Sequence, residues 1–269
     1  MAQNLKSYTI NDWNETIWTQ ERPEFMIDVI LLPSDIDPFV LPRAQVVVLD
    51  VLRASSSVVT ALANGATQVR LFDTPEQVLA ARQGVTGPVK TAGERNCVRI
   101  PGFDLGNSPA EFETHHIGGA TVLMSTTNGT RAAAAALAAE RMFICGLLNA
   151  GATAQALLTR IDELDTLLIL AGTDGKPALE DILGAGAVLW HILGGTLRPN
   201  LPFTDTAWMA YHAFSAVRSR LKPALRLGAG GINLIENGFE DDIDLCAELD
   251  AKPIVARVEK GTLNVTGAP

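Results

Sequence analysis

The apolar positions of this chain fall in short runs separated by polar, glycine-bearing turns, and the spacing of those runs sets the architecture. Val46-Val47-Val48-Leu49 is too short for a helix and rich in β-branched residues, the pattern of a buried strand. Comparable runs predict strands over 26–32, 46–51, 67–72, 88–92, 120–125, 141–147 and 166–171, with helices over 55–64, 75–83, 131–140, 151–162 and 178–194 between them. This alternation implies an α/β fold: three layers, α/β/α, around a mainly parallel or mixed twisted sheet.

Past residue 200 the pattern changes. Pro199 and Pro202 bracket a break, and a helix carrying Trp208, Tyr211, His212 and Phe214 follows. The Gly228–Gly231 run reads as a turn, and Glu240-Asp241-Asp242 lead into a short helix and a last strand over 253–258. Residues 1–25, with Trp13 and Trp18, read as an N-terminal extension, and 26–269 as one α/β unit elaborated from about residue 200.

Four polar clusters follow apolar strands. Asp50 and Arg53 stand before Ser55-Ser56-Ser57, whose hydroxyls suit helix N-caps, and that helix closes at Asn64-Gly65. Gly93-Glu94-Arg95 leads on to Asn107 and Ser108; Thr127-Asn128-Gly129-Thr130-Arg131 precedes an alanine-rich helix thin enough to pack close to the sheet; Thr173-Asp174-Gly175 precedes Glu180 and Asp181. Each has a bland reading, since Asn128-Gly129 is a turn dipeptide, Thr130 an N-cap and Glu180-Asp181 partners of a helix dipole. Their shared position predicts that they meet on one sheet edge, where ligands of open α/β sheets bind.

Composition narrows the ligand. With 269 residues and 47% apolar content the chain can bury a substantial core, while its net charge of -9 argues against nucleic acid or an anionic membrane as partner. A small anion therefore needs a local basic pocket, which Arg53, Arg95 and Arg131 supply. Carboxylates in the same place would repel such a ligand unless a hard cation lay between them, which points to Mg²⁺. Three cysteines without CxxC spacing read as reduced packing thiols; no apolar run reaches membrane-spanning length, no basic-then-apolar signal begins the chain, and the cytoplasm is the expected compartment. His115-His116 reads as a solvent loop, and neither HxxxH spacing nor a GxSxG elbow occurs. The Gly184 and Gly186 stretch lies within a helix, where small residues permit close packing in place of dinucleotide binding.

The segments DVLRASSSVVTALANGA, AGER, GFDLGNSPAEF, STTNGTRA, LLNA and LEDILGAGA, in this order, closely resemble the 2-phosphosulfolactate phosphatase (ComB) family, over roughly residues 26–258. The resemblance implies Mg²⁺-dependent hydrolysis of (2R)-2-phospho-3-sulfolactate to (2R)-3-sulfolactate and phosphate, as in coenzyme M biosynthesis. It implies Asp50 with Glu94, Glu180 or Asp181 at the metal, and Arg53, Arg95 and Arg131 on the anionic groups. Asn107, Ser108, Thr127, Asn128, Gly129 and Thr130 would add hydrogen bonds. The nucleophile is a water or Asp50 itself; the haloacid-dehalogenase-type phosphatases that form phospho-aspartate carry a second Asp two residues on, where this chain has Leu52, which favours water with a carboxylate as base. A phosphatase for another phosphorylated hydroxy-acid and a non-catalytic anion-binding protein are the competing readings, and an acidic α/β enzyme of this size is often a homodimer.

Overall fold

The computed structural model describes residues 25–194 and 201–268; residues 1–24, with the expected extension, and Pro199 lie outside them. The first half runs β1 (Ile27–Ile30), β2 (Ala44–Leu49), α1 (Ala54–Ala63), β3 (Gln68–Leu71), α2 (Pro75–Arg82), β4 (Val89–Arg95), β5 (Val98–Arg99) and α3 (Thr114–Ile117). Next come β6 (Thr121–Ser125), α4 (Gly129–Ala135), β7 (Arg141–Cys145), α5 (Ala150–Leu158), β8 (Asp165–Leu170) and α6 (Leu179–Ile192). Four helices, α7 (Asp205–Val217), α8 (Leu221–Leu225), α9 (Ala229–Glu236) and α10 (Glu240–Cys246), precede the final strands β9 (Val255–Val258) and β10 (Asn264–Ala268).

The ten strands form one sheet in the order β1-β8-β2-β7-β9-β10-β3-β6-β4-β5. Strand β2 is parallel to both β7 and β8, with Val46 opposite Met142 on one side and Leu167 on the other. All its residues are buried, which is why it reads as an unbroken apolar run. Val47 and Leu49 enter one core with α5, α6 and α7, while Val46 and Val48 enter the other with α1 and α4. Helices on both faces give the expected three layers.

The strands do not share one carboxyl edge. Strands β1, β8, β2 and β7 are mutually parallel, as are β3, β6 and β4, but the C-terminal hairpin β9–β10 joins the blocks antiparallel on both sides. The two blocks therefore run in opposite senses. From β2 to β6 the sheet takes five steps, and at roughly 20–25° per step its twist turns the second block by on the order of 100°, swinging the end of β6 back toward that of β2. Gly129, just after β6, accordingly packs against Asp50 and Ala54, just after β2.

The Gly184 and Gly186 positions are packing devices, as their helical location implies. A Cβ on Gly184 would meet Val51 and Leu49 at 2.7 and 2.9 Å, and one on Gly186 would collide with the Ala210 carbonyl oxygen and Phe214 Cβ of α7. Backbone cannot yield as a side chain can, so Gly186→Ala is expected to lower stability by about 3 kcal/mol, measured as the urea midpoint. The alanine helix is shorter than its composition suggests, ending at Ala135, but Ala132, Ala133 and Ala136 are fully buried as its thin profile requires. The Gly228–Gly231 run is not a turn: Gly228 caps α9 and the other two glycines lie in its first turn. His115 and His116 belong to the short helix α3 and are exposed. Among the described residues, no helix is long and apolar enough to cross a membrane.

Candidate active site

Strand β2 ends at Leu49 and delivers Asp50 to the start of α1. The three serines do not cap this helix; Arg53 occupies the cap position and the serine hydroxyls are spent elsewhere. Ser55 Oγ accepts the Asp50 N–H at 2.9 Å, Ser56 Oγ donates to the Val51 carbonyl at 2.8 Å, and Ser57 Oγ donates to the Asn107 carbonyl at 2.8 Å. All three are buried, so they lock the strand end and the Asn107 loop to α1. The end at Asn64-Gly65 is as expected, with Gly65 at φ +96°.

Four carboxylates lie near one another in the interior. Burial pushes the Asp50 carboxyl up to about 7, with Glu94 and Glu180 adding negative charge and the Ala54 and Gly129 amides opposing the shift by hydrogen bonding. Glu94 Oε1 accepts the Thr127 N–H and hydroxyl at 3.1 and 3.0 Å, and its Oε2 accepts the Cys97 N–H at 3.0 Å, which joins β4 to the loop after β6. Asp181, raised by burial and by Asp50 and Glu180, accepts the Val51 N–H at 2.8 Å and the Gly172 N–H at 3.0 Å. It bridges the ends of neighbouring strands β2 and β8. Glu180 is raised by burial, and its Oε2 is buried without a hydrogen-bond partner among the described residues.

The three arginines stand in different circumstances. Arg53 is 3% exposed, donates from Nη1 to Asp242 at 2.6 Å, and lies with Cζ 4.3 Å from the Phe239 ring centre. Arg95 spends its guanidinium on the Glu94, Ser125 and Asp73 carbonyls and the Ser125 hydroxyl, tying strand ends together. Arg131 is exposed in the first turn of α4 and has no ionic or hydrogen-bonding partner among the described residues.

Several polar residues expected to face a ligand have internal partners. The Ser108 hydroxyl donates to Asp242 at 2.6 Å, and the Thr127 hydroxyl serves Glu94. Thr130 Oγ1 lies 3.2 Å from that of Thr126 and 3.4 Å from the Thr126 N, which donates to it. A hydroxyl has one hydrogen to give, so Ser108 and Thr127 brace acids, and Thr130 the Thr126 turn, in preference to meeting an anion. Asn128 occupies the cap position of α4 without a side-chain cap bond, Gly129 leaves room for Asp50, and Asn107 Oδ1 is buried without a partner among the described residues.

Three participants carry no sequence signal of their role. Asp242 read as part of an acidic helix start, yet it is 4% exposed and holds Arg53 and Ser108 together. Gly228 and Gly230 read as turn glycines, yet α9 begins against Glu180: a Cβ at Gly230 would collide with Glu180 Oε1, and one at Gly228 would lie 3.0 Å from its Oε2. Neither contact has a local signal, since each joins segments far apart in sequence.

As a donor set the site is all oxygen. Among the described residues no group of three or more His, Cys, Asp or Glu is gathered as a metal cage. Mg²⁺ characteristically uses one or two carboxylates and completes its shell with water and phosphate oxygens. Glu180, with an oxygen unpartnered among the described residues, and Asp50, crowded by like charge although it accepts the Ala54 and Gly129 amides, fit that mode. Asp181 and Glu94 already receive backbone N–H groups on both carboxylate oxygens.

A family model described as 2-phosphosulpholactate phosphatase matches residues 30–261. A Symbiobacterium thermophilum protein named "Probable 2-phosphosulfolactate phosphatase" is 38% identical over 218 residues, which are 80% of this chain and 91% of that one. Proteins of the same name from Thermotoga petrophila and Deinococcus radiodurans are 36% and 37% identical, covering 88% and 80% of this chain and 96% and 87% of their own.

Proposed function

Since this chain belongs to the 2-phosphosulpholactate phosphatase family, we propose that it catalyses Mg²⁺-dependent hydrolysis of (2R)-2-phospho-3-sulfolactate to sulfolactate and phosphate. The observation that carries this reading is the Asp50–Glu94–Glu180 carboxylate cluster beside a buried guanidinium, Arg53, whose pairing leaves most of its N–H donors unspent. Acids and a phosphate ester share such a space once a cation balances their charge.

Asp50 and Glu180 would hold the Mg²⁺, which supplies neutralisation of charge on the phosphoryl oxygens. The rest of the work falls to the chain. In hydrolysis a water oxygen bonds to phosphorus as the ester P–O bond breaks, and the alcohol oxygen leaves to gain a proton. Little of this is covalent work for the protein, whose contribution is positioning and electrostatics. Arg53 donates to the phosphoryl oxygens, from a helix start pinned by the three serines. Glu94 holds the Thr127 turn in place, and Asp181 fixes the backbone from which Asp50 projects. Arg131, exposed and without a partner among the described residues, is available to a second anionic group of the substrate.

The test is phosphate release from a panel of esters, with Mg²⁺ and with EDTA. Release is expected to be fastest from 2-phosphosulfolactate, lost in EDTA and restored by Mg²⁺. Preference for a non-sulfonated hydroxy-acid phosphate would reassign the substrate, and no release from any ester would leave an anion-binding protein.

A further inference from the structure

The Arg53 guanidinium is gripped by a segment nearly two hundred residues further along. Asp242 Oδ2 accepts from Arg53 Nη1 at 2.6 Å, and Asp242 Oδ1 accepts from Ser108 Oγ at 2.6 Å, so both carboxylate oxygens are engaged. Phe239, whose carbonyl accepts the Asp242 N–H at 3.1 Å, lies under the guanidinium. The side chains of Arg53 and Asp242 are only 2% and 5% exposed. Arg53 Nη2 has only a long contact, 3.5 Å, to the Cys97 carbonyl.

Two other acids belong to segments that adjoin this guanidinium. Asp50 lies three residues away in sequence, and Glu94 accepts from the amide of the same Cys97. At low dielectric an unrestrained cation would fold onto one of these acids, neutralising both the group that must meet the phosphate and a carboxylate of the site. Asp242 offers a competing anion at Nη1, and the Phe239 ring backs the guanidinium. We propose that Asp242, at the start of α10, is a positioning residue: it holds Arg53 aimed at the phosphoryl group and away from Asp50 and Glu94. This rests on the phosphatase reading above. It gives the C-terminal helices, which sit apart from the β2–α1 segment in sequence, a part in the chemistry.

The test is a double-mutant cycle of Asp242→Asn with Arg53→Ala in the full chain, with thermal midpoints recorded for each variant. Asp242→Asn is expected to cut kcat by about 100-fold with less change in KM, and to have little further effect in the Arg53→Ala background, because both changes remove one function. Asp242→Glu, which keeps the charge, is expected to recover part of the loss. A folded Asp242→Asn protein with wild-type kcat, or losses that multiply in the double variant, would overturn the proposal. Should Asp242→Asn fail to fold, the cycle is run with Asp242→Glu, whose longer side chain displaces the carboxylate: a smaller loss of kcat that vanishes in the Arg53→Ala background supports the role, and an unchanged kcat or a loss that persists there overturns it. If wild type releases phosphate from no ester, it is the phosphatase reading that fails. Asp242 is then judged by calorimetric binding of inorganic phosphate: about tenfold weakening in both Asp242→Asn and Arg53→Ala supports the role, and unchanged affinity in Asp242→Asn rejects it.

Discussion

Asp50→Asn is expected to lower kcat for phosphate release by about a thousand-fold while changing the resistance to urea by no more than about 1 kcal/mol. The two halves of this expectation have one cause. Asp50 is 8% exposed, and burial together with Glu94 and Glu180 pushes its carboxyl up to about 7. Ionising it in the folded protein therefore costs free energy that the unfolded chain does not spend. Asparagine is nearly isosteric and uncharged, so it relieves the repulsion, and its carbonyl oxygen can still accept the Ala54 N–H that now reaches Asp50 Oδ1 at 3.3 Å, while its NH₂ faces the Gly129 amide and offsets part of that relief. What it removes is the anionic oxygen that would meet a cation beside the substrate phosphate. A thousand-fold loss corresponds to about 4 kcal/mol of transition-state stabilisation. The measurement is phosphate release under saturating substrate alongside a urea titration. Near-wild-type turnover in a folded variant would remove Asp50 from the chemistry; a collapse in stability would mean the carboxylate is held for structure.

How much of this could be read from the sequence depends on how local each cause is. Strand β2 and the Asp50–Arg53 turn are legible because their signals lie within a few residues: an apolar run, then an acid, an arginine and small residues. The helical glycines 184 and 186 are legible for the same reason, since the apolar periodicity around them continues. Strand β10, NVTGA, was missed because only Val265 in it is buried, so it carries no apolar pattern, although it lies in the middle of the sheet. That omission had a large consequence. The β9–β10 hairpin reverses the sense of the second parallel block, and no pattern within the blocks records the reversal. The single shared edge was therefore the wrong geometry, although the loops of Asp50, Glu94 and Gly129 do meet. The serines illustrate a different limit. Residue types that favour caps were present, but their hydroxyls go to backbone groups at Asp50, Val51 and Asn107, which only the folded chain brings close.

Asp181 separates a carboxylate that builds the site from one that reacts in it, and its replacement carries the largest expected effect on stability. Its two oxygens take the Val51 and Gly172 amides, which would otherwise be unpaired at the ends of β2 and β8. Alanine leaves both N–H groups buried without partners; at roughly 1–3 kcal/mol each, Asp181→Ala is expected to cost about 4 kcal/mol. Asparagine keeps one acceptor and turns its NH₂ toward the other amide, a donor facing a donor. It also removes a charge that burial, Asp50 and Glu180 all disfavour. The gain offsets much of the loss, so Asp181→Asn is expected to cost only about 1–2 kcal/mol. The ordering in urea titrations should be wild type, then asparagine, then alanine, with phosphate release by the folded asparagine variant reduced far less than by Asp50→Asn. If asparagine and alanine destabilise equally little while both abolish Mg²⁺-dependent turnover, Asp181 is a metal ligand and its bridge between strands is incidental.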